Sequence, residues 1–279
     1  MDQRRMCPNC RAFITSHDKV CPYCNERVGP RAVERRDPGA ILGGFIPHAR
    51  FVTMIILTIN FGLYLATVVF SQRLGQGGGF LNVDGQTLIA FGAKVRAAIF
   101  GYGQWWRLVT AGFLHGGLLH IGMNSWVLFD LGAQVEDVYG ASRLIVIYFL
   151  ATVFGFLLST LWTSAVSVGA SAGIMGLIGA MIALGVHNRH SSAGAAVRGM
   201  YVRWAVYMII FGLLPGLNID NAAHIGGLAA GFCVAYVAGT PRIQTAWTER
   251  LWLAAAAASV TITAACFLKM YLWFAIATQ

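Results

Sequence analysis

The feature that most constrains the fold is a stretch of 45 residues, from Leu144 to Asn188, without a single charged side chain. A membrane-spanning helix needs about 20 apolar residues, so this stretch is long enough for two helices joined by the short polar segment 163–169. In the whole chain, 57% of the residues are hydrophobic and 11% are charged, whereas soluble domains carry roughly 25% charged residues. The sequence therefore predicts an all-α polytopic membrane protein.

Seven apolar runs are long enough to be membrane spans. They cover residues 51–70, 111–130, 144–162, 169–187, 200–217, 221–239 and 251–270. With a cytoplasmic N-terminus, 15 of the 20 Lys and Arg residues fall on the inner side, as the positive-inside rule requires. We therefore predict a multi-pass protein of the cell membrane with its C-terminus on the outer side. This asymmetry also accounts for the basic pI of about 9.6, so no nucleic-acid partner is expected.

The segment before the first apolar run contains two C-x-x-C pairs with ten residues between them. The four cysteines are Cys7, Cys10, Cys21 and Cys24. This spacing suits four thiolates around one tetrahedral zinc ion, and a reducing cytosol disfavours disulfides; a redox pair and a disordered tail are the alternatives. We predict a zinc-ribbon-like module in residues 1–28 with one structural Zn²⁺, followed by a basic linker in residues 29–50. Whether the module is purely structural or docks a cytoplasmic partner is left open.

Polar side chains inside membrane spans are costly and are therefore candidates for function. The second predicted span contains His115, His120 and Asn124, and the last two share a helix face because they are four residues apart. Ser171 opens the fourth span, and His224 opens the sixth. These three spans all run from outside to inside in the predicted topology, so we expect their polar residues to lie at one outer level.

Such a set of side chains suits acyl transfer. A serine hydroxyl is a weak nucleophile until a neighbouring imidazole takes its proton, which makes Ser171 the candidate nucleophile and His224 the candidate base. His120 and Asn124 are candidate donors to an oxyanion. Small residues allow two helices to approach closely; those expected here are Gly169, Gly173 and Gly176 on one helix and Gly227 and Gly231 on the other.

The motifs in residues 50–240 resemble those of the rhomboid intramembrane serine proteases. The matching positions are Trp106-Arg107, His115/His120/Asn124, Glu136/Gly140/Arg143, Gly169-Ala170-Ser171 and Ala223-His224 with Gly227 and Gly231. The resemblance implies a six-helix protease core in residues 51–240, with residues 241–279 adding a cytoplasmic loop and a seventh transmembrane helix. It also implies a Ser171–His224 dyad, needing no catalytic cofactor, that cleaves transmembrane helices of membrane-protein substrates near the outer side of the bilayer.

Two positions depart from the family pattern. Ala172 stands where a glycine often follows the serine, and Met175 stands where an aromatic residue often packs against the catalytic imidazole. One alternative is a catalytically weak or inactive rhomboid-like scaffold that binds membrane helices, although such relatives characteristically lack the serine or the histidine that this chain keeps. A second alternative is a metal or proton transporter with a histidine relay, although the core spans lack the carboxylates that such a relay uses.

Overall fold

A computed structural model describes residues 4–7, 10, 12–15, 18, 20–25, 28, 50–74, 79–239 and 246–277. The chain divides into two compact units, Met1–Phe45 and Ile46–Gln279. The predicted linker, residues 29–50, lies outside the described residues except for Arg50.

The first unit is built on a short antiparallel hairpin. Strand β1 (Arg4–Met6) pairs with β2 (Phe13–Thr15), so that Met6 lies opposite Phe13. A small core forms beside the hairpin from Cys7, Ile14, Cys21 and Val28. Because so few apolar side chains are buried, this core alone contributes little stability.

In its described ranges, the second unit is built of helices joined by turns and short extended segments. Its helices are α1 (Phe51–Leu74), α2 (Gly85–Ala90), α3 (Arg96–Tyr102), α4 (Arg107–Thr110), α5 (Leu118–Tyr139), α6 (Ala141–Trp162), α7 (Ser171–His187), α8 (Ser192–Phe211), α9 (Asn221–Ala238) and α10 (Ala246–Ala277). Helix α7 packs against α5, α6, α8 and α9, and most of its side chains are buried. The helix that begins with Ser171 therefore lies at the centre of the bundle.

Among the described residues, four helical stretches are long and apolar enough to cross a membrane. They are Phe51–Arg73, Ala141–Trp162, Asn221–Ala238 and Trp247–Ala275, and the apolar α7 is shorter, with 17 residues. Large apolar side chains also point outward, including Trp204 on α8 and Leu253 and Leu268 on α10, as contact with lipid requires. The prediction of an all-α polytopic membrane protein is confirmed, whereas seven spans remain a prediction.

The second predicted span was placed too early in the sequence. Helix α5 begins at Leu118, after a 3₁₀ turn at Ala111–Phe113 and an extended segment, so His115 lies ahead of the helix. The interruption arises at Gly117, where a Cβ atom would approach the Leu81 carbonyl oxygen to 2.3 Å. The backbone at Leu81 thus packs against the residues just before α5. Hydropathy alone cannot separate these apolar residues from the helix. Similarly, α8 begins at Ser192, well before the predicted 200, because the Ser191 side chain caps it.

The Glu136/Gly140/Arg143 motif joins four helices. Glu136 accepts hydrogen bonds from the Thr53 backbone N–H and hydroxyl at the start of α1, at 3.2 and 3.1 Å. Gly140, with φ +80°, is the single residue between α5 and α6. Arg143 Nη2 lies 2.9 Å from Glu249 Oε1 on α10. The motif therefore fixes how α1, α5, α6 and α10 meet.

Candidate active site

The loop between α1 and α5, here called the first loop (described residues 79–117), is organised around Arg107. The Arg107 guanidinium is buried and donates to Gln104 Oε1 at 2.6 Å and to the carbonyl oxygens of Ile89 and Ala93 at 2.8 and 2.9 Å. It also lies 4.7 Å from the centre of the Trp106 ring. The Trp106-Arg107 pair, one of the family motifs, thus holds the first loop together from inside.

Ser171 is the first residue of α7 and is partly exposed. Two residues before it, Gly169 has a φ of +134°, in a region that residues with a Cβ rarely adopt. The Gly169 N–H donates to the Ala111 carbonyl oxygen at 2.9 Å, which joins this turn to the first loop. A helix N-terminus carries partial positive charge from its unpaired N–H groups. Ser171 therefore lies where negative charge on a reacting group is stabilised.

The imidazole of His120 lies beside this turn. A Cβ atom at Gly169 would be 2.7 Å from His120 Nε2 and 3.7 Å from Ser171 Oγ, so only a glycine fits between the two side chains. His120 Nδ1 accepts a hydrogen bond from the Gly116 N–H at 3.4 Å. A neutral imidazole that accepts at one nitrogen carries its proton on the other. His120 therefore directs an Nε2–H donor toward the serine.

Asn124 and His115 flank His120 in different ways. Asn124 Nδ2 donates to the His120 carbonyl oxygen at 2.8 Å, so this hydrogen bond stays within α5. The His115 ring is fully buried and meets the His120 ring edge-on, with 5.2 Å between the ring centres. His115 thus supports the His120 ring from the side of the first loop.

His224 lies in the first turn of α9 and is 2% exposed. The helix is capped by Asp220, which accepts a hydrogen bond from the Ala223 N–H at 3.0 Å. Within the described part of the chain, His224 Nδ1 has no hydrogen-bond partner. The imidazole is therefore not committed to a structural contact at that nitrogen.

Glycines bring the helices of Ser171 and His224 into backbone contact. A Cβ atom at Gly227 would lie 2.1 Å from the Ala172 carbonyl oxygen, and one at Gly231 would lie 2.1 Å from that of Gly176. Gly155 on α6, which the sequence analysis missed, approaches the same place, because its Cβ would lie 2.9 Å from Ala172 Cβ. Helices α6, α7 and α9 therefore meet next to the candidate nucleophile.

The described contacts of Ser171 and His224 do not include a hydrogen bond between the two side chains. Catalytic hydrogen bonds are often long before substrate binds, and the residues next to the pair are already packed: Ala172 follows Ser171, and Gly227 is one helical turn beyond His224.

Met175 is buried in the main core together with Tyr148 and Phe113. The methionine therefore fills space below the serine as an apolar core residue.

Sequence reasoning also missed Lys94. This residue of the first loop is fully buried and pairs with Ser167 in a two-residue antiparallel bridge. Its hydrogen-bond partners are backbone carbonyl groups, which leave no sequence motif. The one available signal is a lysine flanked by Ala93 and Val95 in an apolar stretch.

The four cysteines of the first unit form a separate candidate metal centre. Their sulfur atoms all lie within 4.8 Å of one another, with 3.7 Å between the sulfurs of Cys7 and Cys24 and 3.6 Å between those of Cys10 and Cys21. Tetrahedral Zn²⁺ with Zn–S distances of about 2.3 Å separates its sulfur ligands by roughly 3.8 Å. The cluster therefore has the shape of a four-thiolate metal site.

Comparisons with known proteins agree with this arrangement. A family model described as Rhomboid domain matches residues 102–241. The chain is 38% identical over 168 residues to Rhomboid protease GluP of Bacillus subtilis (strain 168), an alignment covering 59% of this chain and 32% of that protein. It is 35% identical over 173 residues to the mitochondrial RHOMBOID-like protein 6 of Arabidopsis thaliana, which covers 61% of this chain and 55% of the relative.

The chain aligns with about a third of the length of the first relative and just over half of the length of the second. A third, Rhomboid-like protease 2 of Toxoplasma gondii, is 30% identical over 209 residues, with 73% of this chain and 71% of the relative aligned. The region matched by the family model, residues 102–241, contains α5, α7 and α9 with His120, Ser171 and His224. The chain therefore belongs to the rhomboid family.

Proposed function

We propose that this protein is an intramembrane serine endopeptidase that cleaves the transmembrane helices of membrane-protein substrates near the outer side of the bilayer. The observation that carries the proposal is the grouping of His120 Nε2, Gly169 and Ser171 Oγ at the N-terminus of α7. His224 lies in the first turn of the neighbouring helix, whose backbone contacts that of α7. Proteases among the family relatives support the reaction class.

In the proposed reaction, His224 takes the proton of the Ser171 hydroxyl as Oγ attacks the carbonyl carbon of the scissile peptide bond. Negative charge develops on the carbonyl oxygen, where His120 Nε2–H, the first N–H groups of α7 and the Asn124 amide are the proposed donors. The intermediate then collapses to an acyl-enzyme while His224 returns the proton to the leaving amine. Water, activated by the same imidazole, hydrolyses the ester and restores the serine.

The proposed orientation places the N-terminus in the cytoplasm and the C-terminus on the outer side. In this orientation α5, α7 and α9 all begin at the outer side, which is the side where Ser171 and His224 are proposed to meet the substrate. A substrate helix must partly unfold there before its peptide bond reaches the serine.

The experiment that tests the proposed function is cleavage of a single-pass substrate in proteoliposomes by wild type, Ser171→Ala and His224→Ala. We expect wild type to cleave and both variants to lose at least about a thousandfold in kcat, because nucleophile and base act as one unit. Ser125→Ala is the matched control, since Ser125 lies on α5 outside the candidate site.

Thermal unfolding in detergent shows whether each variant is folded. Cleavage by folded Ser171→Ala at the wild-type rate would contradict the assignment of the nucleophile. A folded wild type that binds substrate helices without cutting any of them would instead favour the rhomboid-like scaffold.

We further propose that Cys7, Cys10, Cys21 and Cys24 bind one structural Zn²⁺, which would supply folding energy that the small core of this unit lacks. The proposed peptidase chemistry uses none of these residues. The double variant Cys7→Ser/Cys10→Ser is therefore expected to lose the zinc measured by elemental analysis and to keep the wild-type cleavage rate in vitro. Loss of cleavage with the second unit still folded would contradict this separation, and a partner that binds only the zinc-loaded protein would identify a docking role.

A further inference from the structure

The Lys94 side chain, in the first loop, is fully buried. Its ammonium group donates to the carbonyl oxygens of Thr163 and Ala165, at 3.0 and 2.8 Å. Lysine is almost never fully buried unless its charge is paired or hydrogen-bonded. The two carbonyl groups belong to the segment between α6 and α7, here called the serine loop (residues 163–170), which leads directly into Ser171.

The backbone of Lys94 contacts the same loop. The Lys94 N–H donates to the Ser167 carbonyl oxygen at 3.0 Å, and the Ser167 N–H donates back to the Lys94 carbonyl oxygen at 3.2 Å. Together with the ammonium contacts, one residue therefore holds the serine loop at positions 163, 165 and 167.

The geometry of the serine loop determines where its last residues lie. Thr163 ends α6 as its C-cap, a position where the carbonyl groups have no partner within the helix and a lysine is favourable. At the other end, Gly169 is hydrogen-bonded to Ala111 and faces the His120 ring. Lys94 holds the first half of the serine loop, residues 163–167, which the contact between Gly169 and Ala111 does not reach.

The charge of Lys94 also acts on the helix of His224. Burial lowers the pKa of Lys94, and the attraction of the Asp220 carboxylate opposes that shift. Asp220 caps α9 and accepts a hydrogen bond from Ser159 near the end of α6. The ammonium group is thus linked to the segments that lead into both candidate catalytic helices.

We propose that Lys94 is a positioning residue for the serine site: by holding the serine loop it fixes Gly169 and Ser171 against His120 and aligns the nucleophile. This role rests on the proposed peptidase function. Lys94 acts through backbone groups of the serine loop and has no part in binding the substrate helix. Its loss is therefore expected to lower the reactivity of Ser171 without changing substrate affinity.

The test uses the full chain in detergent and in proteoliposomes. Lys94→Met keeps the length of the side chain and removes the donors, whereas Lys94→Arg keeps donors and charge. The matched control is Arg96→Met, because Arg96 is exposed and its Nη1 reaches the Leu161 carbonyl oxygen at 3.4 Å near the same end of α6. Each variant is measured for thermal unfolding, for kcat and KM of substrate cleavage, and for the rate at which a fluorophosphonate labels the serine.

For folded Lys94→Met we expect kcat and the labelling rate to fall roughly tenfold to a hundredfold, as displacement of a reacting group does, with KM unchanged. Lys94→Arg is expected to recover part of the labelling rate, and Arg96→Met to match wild type. Labelling of Lys94→Met at the wild-type rate, or an equal loss in Arg96→Met, would overturn the proposal. Where Lys94→Met does not fold, Lys94→Gln replaces it and is judged by the same rates.

Ser171→Ala and wild type are run in parallel so that two failures can be told apart. A folded wild type that neither cleaves nor reacts with the fluorophosphonate contradicts the proposed function itself. A wild type that reacts at Ser171, combined with an equally reactive Lys94→Met, contradicts only the role of Lys94.

Discussion

Gly169 meets two separate demands at a single residue. Its φ of +134° excludes most side chains on conformational grounds, and the His120 ring occupies the space that a Cβ atom would need. The sequence predicted this glycine as a small residue in a helix contact. Its backbone conformation was not predictable, because that depends on the hydrogen bond to Ala111 in a loop far away in sequence.

Replacement of Gly169 by alanine is expected to displace the His120 ring and to cost about 1–3 kcal/mol, the range for a residue forced into a disfavoured backbone region. We expect at least a tenfold fall in kcat, equal to about 1.4 kcal/mol of transition-state stabilisation. The measurement is cleavage of a single-pass substrate together with thermal unfolding. Gly101→Ala is the control, since a Cβ there meets nothing within 4 Å, and equal activity of the two variants would refute the argument.

Asp84 in the first loop offers a second test on one side chain. It caps α2 by accepting from the Thr87 N–H at 2.8 Å, and it also accepts from the Ser71 hydroxyl at 2.6 Å. Partial burial alone would raise the pKa of Asp84, but these hydrogen bonds hold it below its ordinary value of 3.8. The stabilisation is therefore present above pH 3.8 and is lost as the pH falls through the lowered pKa.

Asp84→Ala is accordingly expected to weaken the pH dependence of thermal unfolding at the acidic end and to cost about 0.5–2 kcal/mol near neutral pH, the range for losing a helix cap. The melting temperature is measured between neutral and acidic pH. Gln86→Ala, in the same short helix, serves as the control. A variant whose melting curve follows that of wild type at every pH would contradict the role of Asp84.

At the scale of elements, α7 and α9 are joined by backbone contact rather than by interdigitated side chains. Gly227 and Gly231, four residues apart, place successive turns of α9 against the carbonyl oxygens of Ala172 and Gly176. Small residues at this spacing are what permits two membrane helices to come so close. The position of His224 relative to Ser171 therefore depends on the absence of side chains one and two turns further along the helix.

Gly231→Ala is expected to separate the two helices, because its Cβ would lie 2.1 Å from a backbone oxygen that cannot rotate away. Overpacking of this kind costs typically 1–3 kcal/mol, and loss of cleavage should accompany the lower melting temperature. Gly62→Ala on α1 is the control, since its Cβ meets nothing within 4 Å and alanine favours a helix by about 0.5–1 kcal/mol. Unchanged stability in Gly231→Ala would show that the helices tolerate separation.

Features that depend on local composition could be predicted from the sequence, whereas contacts with distant segments could not. Apolar runs and glycine spacing predicted the long helices and the α7–α9 contact, because both depend on local composition. The start of α5 was wrong because the Leu118 N–H donates to the Leu81 carbonyl oxygen and only a glycine fits beside it at position 117, a contact that hydropathy does not register. Gly155 and Lys94 were missed for the same reason, since each meets a distant backbone segment.

At the scale of the molecule, α10 is packed onto the rest of the bundle at both ends. Near its start, Glu249 pairs with the buried Arg143 of α6. Near its end, Phe274 meets Phe70 of α1 and Phe91 of the first loop edge-on, with 4.9 and 5.1 Å between ring centres. The seventh span expected from the sequence, α10, is therefore part of the same packed unit as the preceding helices.

Phe274→Ala is expected to lower the stability of the second unit by about 0.5–1.5 kcal/mol for each lost aromatic contact. Thermal unfolding in detergent measures the change. Leu268→Ala on the same helix is the control, because Leu268 is 59% exposed and its side chain points away from the bundle. If the two variants unfold alike, the aromatic cluster does not hold α10.

The contact of Phe274 with Phe91 has a consequence for biogenesis. Ribosomes release the chain from its N-terminus, so the first loop emerges long before α10 is made. Until α10 inserts, Phe91 can contact Phe70 of α1 but lacks its second aromatic partner, Phe274. We therefore expect the first loop, and with it the proposed serine site, to become fully packed only after α10 has entered the bilayer.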